Sequence, residues 1–216
     1  MQNEKAFKKI FQDILKVEIF VLGKKIEEIN YFIENILKYC KEIPEIYIKK
    51  SEKYKNKKSG RLRLNHKDIL LIFEGLTKSN IDNNKREEIK NCNFVILFLN
   101  LLEHEQFDEI IEYWFPFLLN EINFKNNILI CGLDKYLKEL NNQEQFVQIN
   151  NDDKNELIEV DEKEINLLLN IFNNSLISYE LIDIENSIDI LSKICKPIKV
   201  TKLKKFFSDD KNCYIF

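Results

Sequence analysis

The chain has 216 residues, of which 44% are hydrophobic and 32% charged, and its formal net charge is −3. This length and composition are typical of one domain with a sizeable core, and the slight acidity argues against a nucleic-acid-binding protein, which would carry a basic excess. Five cysteines without a Cys-x-x-Cys pair favour a reducing compartment over a disulfide framework. No apolar run approaches the roughly 20 residues that span a bilayer.

The first part of the chain is predicted to pass from helix to strand to helix. Residues 2–15 carry an apolar stripe at helical spacing, and residues 17–23 read as a strand that ends at a glycine. Apolar residues at helical spacing predict a helix over residues 27–40. Residues 49–58 are rich in lysine, which indicates a solvated loop or an exposed edge and leaves an effector surface as the less favoured interpretation.

A hairpin is predicted next, with arms at residues 61–64 and 68–73, and its second arm is apolar enough to be buried. Residues 77–90 are mostly polar and predict a mobile loop or a short helix.

The central stretch is the most informative one. Residues 94–99 and 128–131 are unbroken apolar runs of strand length, and an amphipathic segment at residues 105–116 separates them. Runs without polar alternation indicate strands covered on both faces, joined here by a crossover helix. The pattern therefore predicts an α/β fold with a doubly wound, mostly parallel six-stranded sheet and helices on both faces, whose ligand crevice lies at the carboxyl ends of the strands.

The last third contains a polar insertion and two further predicted helices. Residues 136–153 are rich in Asn and Gln and predict a surface insertion. Residues 161–172 are an amphipathic helix, residues 176–184 a last strand, residues 187–198 a last helix, and residues 199–216 a tail.

Several local matches accompany this order of elements. Trp114-Phe115-Pro116 lies where Rho proteins carry Trp-Tyr-Pro, and Phe107 is similar to the Phe that begins the same helix. The sequence IPEIYI at residues 43–48 resembles the Phe-Pro-x-x-Tyr-Ile segment of the first switch. Residues 136–153 fall where Rho proteins insert a helix, and residues 213–216 have the Cys-a-a-X form. Residues 17–216 thus resemble the Rho family of Ras-superfamily small GTPases.

This resemblance implies a domain organisation. Under this resemblance, residues 1–16 are an amino-terminal helical extension. Residues 17–198 are a Rho-like G domain of the P-loop NTPase fold, with the insertion at about residues 136–153. Residues 199–216 become a tail with a lipidation signal.

The phosphate loop of such a domain is altered in this chain. The motif G-x-x-x-x-G-K-[ST] aligns with residues 23–30, and Gly23 matches its first glycine. Glu28 replaces the second glycine, Ile29 the phosphate-binding lysine and Asn30 the hydroxyl residue that binds Mg²⁺. A carboxylate about 4 Å from a phosphate oxygen costs roughly 4 kcal/mol at an effective dielectric constant of 20. The resemblance therefore implies a degenerate nucleotide site.

The two switch regions are altered as well. In the first, Tyr47 is kept, whereas Lys50 falls near the Mg²⁺-binding Thr. In the second, Glu74 keeps a carboxylate, Thr77 replaces the glycine that senses the γ-phosphate, and Lys78 replaces the Gln that orients water. Since an ammonium group has no acceptor for that water, no catalytic residue is predicted.

The guanine-reading motif is reduced to a single candidate, Asp134, which could still contact a base. Lys24 or Lys25 could in principle take over the phosphate contact. These residues support the first alternative, a divergent but active Rho-family GTPase that binds GTP or GDP with Mg²⁺. This alternative requires residues 23–30 to fold as a phosphate cradle.

The leading interpretation is a Rho-like pseudo-GTPase, a signalling module with little or no GTP binding or hydrolysis and no expected cofactor. It would present a fixed switch-like surface, residues 43–50 and 75–90, to an effector or regulator protein. A second alternative is an unrelated α/β partner-binding protein whose terminus matches by coincidence.

The terminal cysteine implies a membrane partner. Cys213 is the fourth residue from the end, and the terminal Phe216 favours a geranylgeranyl group. One lipid chain rarely anchors a protein stably, so a second, electrostatic signal is expected from the lysines of the tail. These lysines are Lys199, Lys202, Lys204 and Lys205. The expected location is the cytoplasmic face of a membrane that carries anionic lipids, with the protein bound peripherally.

Plainer interpretations exist for several of these residues. Gly23 is explained by a strand that ends in a turn, and Trp114 and Phe107 by packing in a core. His66 and His104 have no ligand partner at useful spacing, so no metal site and no catalytic triad are predicted.

Overall fold

A computed structural model describes residues 15–40, 57–64, 67–133, 160–172, 176–182, 190, 191 and 194, and shows one six-stranded sheet with helices against it. The strands are β1 (Leu15–Leu22), β2 (Lys58–Leu64), β3 (Lys67–Leu76), β4 (Phe94–Asn100), β5 (Asn127–Leu133) and β6 (Ile177–Ile182). The helices are α1 (Ile26–Leu37), α2 (Asn83–Asn91), α3 (His104–Glu109) and α4 (Glu162–Phe172).

The strand order is β2-β3-β1-β4-β5-β6, and β2 alone among these six strands runs antiparallel to its neighbour. The prediction of an α/β fold with a mostly parallel six-stranded sheet is confirmed, and the arrangement is compatible with a doubly wound fold. The chain places β3 on one side of β1 and β4 on the other. The order of strands therefore reverses between β1 and β4, where sheets of this kind form their ligand crevice.

Two apolar layers cover the sheet, one on each face. Side chains of β1 alternate between them: Val17, Ile19 and Val21 point into the first layer, and Phe20 and Leu22 into the second. The first layer also holds α1 and the helical residues 190, 191 and 194, and the second holds α2, α3 and α4. Every residue of β4 is buried, as its unbroken apolar run predicts.

The segment after β4 is a longer and wider helix than the sequence predicts. After α3 the chain continues in π-helical turns, Ile110–Trp114 and Pro116–Glu121. Proline has no N–H to donate, and Pro116 stands at the start of the second wide segment, where that loss is tolerated. The helix ends at Asn123, whose φ of 52° is left-handed, and Phe124 N donates back to Leu118 O at 2.8 Å.

Residues 77–90, predicted as a mobile loop or a short helix, form a 3₁₀ turn (Lys78–Asn80) followed by α2. Asp82 caps α2 by accepting a hydrogen bond from Lys85 N at 2.7 Å. Residues 49–58 are predicted as a solvated loop or an exposed edge, and the structure describes the last two of them. Lys58 lies in β2, which is an edge strand of the sheet. The Lys57 side chain, in contrast, is only 3% exposed because it lies in a cluster of ion pairs.

Most of the predicted amino-terminal helical extension, residues 1–16, lies outside the described residues, and its last two residues, Leu15 and Lys16, belong to β1. The predicted segments 43–50, 136–153 and 199–216 lie outside the described residues as well. Within the part of the chain that the structure describes, no helix is long and apolar enough to cross a membrane.

Candidate functional site

The candidate site lies at the carboxyl ends of β1 and β4. Residues 23–25 alone connect β1 to α1. The Gly23 N–H donates to Leu76 O at 3.2 Å, and the Ile29 N–H donates to Lys25 O at 3.2 Å in the first turn of α1. A phosphate loop needs the four residues between its two glycines, positions 24–27 in this alignment, to form a loop whose backbone N–H groups point at the ligand before the helix begins. The helix begins too early here for residues 23–30 to form such a cradle.

Three of the four residues aligned with the phosphate motif therefore lie inside α1. Glu28, Ile29 and Asn30 are helical, whereas Gly23 stays in the turn before the helix. Glu27 and Glu28 stand in the first turn of α1, where the positive end of the helix dipole favours a negative charge. The position that attracts phosphate in a nucleotide-binding protein is thus already next to a carboxylate of the chain itself.

Ile29 fills the space beside the strand ends. Its side chain is fully buried. A Cβ at Gly75 would lie 2.6 Å from Ile29 Cγ2, and a Cβ at Gly23 would lie 3.4 Å from Ile29 Cδ1 and 3.3 Å from Phe98 O. Glycine is needed at position 75, and favoured at position 23, because this isoleucine packs directly against the backbone. The structure therefore explains Gly23 without a phosphate.

A polar network closes the crevice from the β4 side. Gln106 Nε2 donates to Glu28 Oε2 at 2.9 Å, Asn100 Nδ2 lies 3.5 Å from Glu28 Oε1, and Lys25 forms an ion pair with the same carboxylate at 3.5 Å. The Asn100 and Gln106 side chains are almost completely buried. Because buried polar groups need partners, these contacts fix the orientation of Glu28.

Glu103 is the second acidic member of this network. It binds Lys25, and it accepts hydrogen bonds from Asn100 Nδ2 at 3.3 Å and Gln106 Nε2 at 3.2 Å. Asn100 and Gln106 are held in turn by the backbone, since Asn100 Oδ1 accepts from Leu102 N and Gln106 Oε1 accepts from Asn100 N, both at 3.0 Å. The network is therefore built into the turn between β4 and α3.

The two lysines that could have contacted a phosphate are already paired with acids. Lys24 binds Glu105, and this contact lowers the pKa of the Glu105 carboxyl. Burial alone would lower the pKa of Lys25, but its contacts with Glu103 and Glu28 outweigh burial and raise it. Each lysine thus already has an acidic partner within the protein.

The switch-like residues are not brought together with Glu28 and Ile29. The Glu74 side chain joins a cluster of lysines on the α2 face of the sheet, whereas α1 covers the opposite face. The Thr77 hydroxyl contacts Asn80 Oδ1 at 2.7 Å and caps the 3₁₀ turn. Lys78 lies 3.6 Å from a carboxylate oxygen of Glu109.

Sequence reasoning missed three residues that define this site, Asn100, Glu103 and Gln106. A signal for them was present, because polar side chains directly after a buried strand mark the carboxyl edge of a parallel sheet. Lys57 was missed as well, and its lysine-rich surroundings gave no sign that it is buried.

The His104 ring joins α3 to α4. Its Nδ1 lies 3.3 Å from Asp108 Oδ2 and its Nε2 lies 3.3 Å from Glu164 Oε1, and these carboxylates, Glu164 first, raise the pKa of the imidazole. Among the described residues, no group of three or more His, Cys, Asp and Glu side chains is arranged to hold a metal ion.

Four of the predicted functional residues lie outside the described part of the chain. They are Tyr47, Lys50, Asp134 and Cys213.

Comparison with known proteins assigns no family to this chain. No protein-family model matches it, and no curated protein matches its sequence.

Proposed function

We propose that this protein is a Rho-like pseudo-GTPase, a protein-binding signalling module with little or no GTP binding or hydrolysis. The observation that carries the proposal is the position of Ile29, the residue aligned with the phosphate-binding lysine. Its side chain is buried against two glycines at the strand ends. The crevice that would hold a nucleotide is filled by the core of the protein.

The charges around the crevice support the same function. Glu28 and Glu103 face it, and their cationic partner Lys25 is neutralised by them. A phosphate oxygen about 4 Å from one carboxylate would be repelled by roughly 4 kcal/mol at an effective dielectric constant of 20. Binding would also require breaking the ion pairs of Lys24 and Lys25.

The arrangement of elements supports the Rho-like part of the proposal. A central parallel strand leads into α1, an antiparallel edge hairpin follows, and the chain then crosses to the other side of β1. The same order of strands and helices is part of the resemblance to the Rho family. The G-domain assignment itself is part of the proposal.

Hydrolysis is not expected because the water-orienting Gln of these GTPases is replaced in this chain. Lys78, which stands for the water-orienting Gln, is a cation without an acceptor and pairs with Glu109. The working part of the protein would instead be the switch-like surface, residues 43–50 and 75–90, presented to an effector or regulator. Without a γ-phosphate to order and release it, that surface would keep one state.

Isothermal titration calorimetry tests the nucleotide claim. We expect no saturable heat when GTP is added with Mg²⁺, because the phosphate position is occupied by Ile29 and Glu28. Micromolar or tighter binding would contradict the proposal. A Lys24→Ala, Lys25→Ala double variant is the matched comparison, since loss of that binding in the variant would assign it to the divergent active GTPase.

Membrane attachment through Cys213 is the second part of the proposed function. Mass spectrometry of the full chain from a eukaryotic host should show a geranylgeranyl group, as a terminal Phe favours. A Cys213→Ser variant should lack the added mass and should leave the membrane fraction. An unmodified Cys213 would support the alternative of an unrelated α/β partner-binding protein.

A further inference from the structure

A cluster of buried charges lies on the α2 face of the sheet. Lys57 Nζ lies 3.0 Å from Glu74 Oε2 and 2.9 Å from Glu88 Oε2. Lys85 Nζ lies 2.6 Å from Glu74 Oε1 and 3.3 Å from Glu88 Oε2. The Lys57 and Glu74 side chains are only 3% and 9% exposed. Two cations and two anions thus form a closed ring of contacts, which we call the charge clamp.

The register of the sheet explains how these residues meet. Lys58 is paired with Phe73 across the antiparallel hairpin, so Lys57 comes opposite Glu74. Glu74 is paired in turn with Phe20 on β1, and Lys57 Nζ lies 5.1 Å from the centre of the Phe20 ring. Lys57, Glu74 and Phe20 thus lie in a row that crosses the sheet from its edge at β2 to the central strand β1.

Helix α2 supplies the other half of the clamp. Lys85 and Glu88 are three residues apart and project from one side of the helix onto Glu74 and Lys57. Glu74 Oε2 accepts no well-aligned hydrogen bond within the described part of the chain, so its contact with Lys57 is chiefly electrostatic. Lys57 and Lys85 also lower the pKa of Glu88 against the opposing effect of burial.

Without the clamp, α2 would have little to hold it. Its nine residues bury one apolar side chain, Ile89. A helix this short is not stable by itself in water, so its position depends on tertiary contacts. On its other side Arg86 binds Glu121 at 2.6 Å and lies over the Phe117 ring at 5.1 Å. Charged contacts, more than apolar burial, therefore fix this helix.

We infer that the charge clamp holds α2 and the start of β2 in one arrangement that does not depend on a nucleotide. In a working GTPase the nucleotide orders the switch segments. Here the clamp joins Lys57, which lies between the first switch-like segment and β2, to the helix of the second. A buried ion pair is well suited to this role, because it specifies one geometry even where it adds little to overall stability. The interpretation of the charge clamp as a locked switch rests on the proposed function.

Hydrogen exchange measured by mass spectrometry on the full chain tests the clamp. In a Glu74→Gln variant, the buried Lys57 and the partly exposed Lys85 share a single carboxylate, that of Glu88, so α2 should open more often. We expect exchange in α2 to accelerate about tenfold or more relative to β4. Glu87→Gln makes the same chemical change at an exposed position of α2 and should have no such effect.

The outcomes separate the clamp from the proposed function. Unchanged exchange in α2, equal acceleration in α2 and β4, or the same effect in Glu87→Gln would each overturn the clamp. If Glu74→Gln does not fold, Glu88→Gln takes its place, since Glu88 is partly exposed and contacts both lysines. GTP with Mg²⁺ should leave exchange of the unsubstituted protein unchanged. An effect of nucleotide on α2 would contradict the proposed function, whatever the variants show.

Discussion

Replacing Ile29 by lysine is expected to destabilise the protein by about 3–5 kcal/mol without creating affinity for GTP. The substitution restores the residue type of a phosphate loop, but the side chain at this position is fully buried against Gly75 and Gly23. The new ammonium group would be held among the apolar side chains of the first layer. Urea denaturation measures the loss of stability, and calorimetry measures the affinity.

Asn30→Lys is the matched control, because it adds the same charge to the next, half-buried position of α1. Its stability should stay within about 0.5 kcal/mol of the unsubstituted protein, as at most surface positions. A stable Ile29→Lys variant that binds GTP with Mg²⁺ would show that the crevice is open.

Replacing Trp114 by alanine is expected to lower the free energy of unfolding by about 3–5 kcal/mol. Trp114 is the largest fully buried side chain of the second apolar layer. Its ring packs edge-to-face against Tyr113 and Phe117, with centroids 4.9 and 6.0 Å away, and its Nε1 donates to Glu109 Oε1 at 3.1 Å. Alanine would leave a large cavity where the wide helical turns meet the sheet.

Ile111→Ala provides the comparison, since Ile111 belongs to the same wide turn but is 36% exposed. It should cost clearly less than the Trp114 substitution, because less apolar surface leaves the core. Equal costs at the two positions, measured by the same urea titration, would mean that this segment does not pack as described.

The sheet could be predicted because its strands are unbroken apolar runs. Residues 94–99 and 128–131 were identified in this way, and the strands that contain them, β4 and β5, are parallel neighbours. The ends of the strands were less predictable. β5 begins at Asn127, where a polar residue still pairs with Phe94, so the ladder extends beyond the apolar run.

The sequence pointed to only part of the candidate site, because it singled out Glu28 and Ile29 but not Asn100, Glu103 or Gln106. The predicted helix over residues 27–40 already included the acid and the isoleucine at positions 28 and 29, and the structure begins this helix one residue earlier, at Ile26. Ile26, Ile29 and Ile33 recur at helical spacing, and that period, rather than the glycine motif, determines the local structure. The helix therefore begins before the motif would end.

The charge clamp could not be predicted from sequence. Its residues, at positions 57, 74, 85 and 88, come from the segment just before β2, from β3 and from α2, and each lies in a stretch whose composition suggests solvent exposure or a regular strand. Burial of a lysine depends on partners that the fold supplies from distant parts of the chain.

The nucleotide content of the protein purified in Mg²⁺ tests the central claim most directly, that the chain's own side chains occupy the crevice. The protein is denatured and the supernatant is analysed by chromatography. It should contain no guanine nucleotide above the level of a buffer blank treated in the same way. Stoichiometric GDP or GTP released from the folded protein would contradict it.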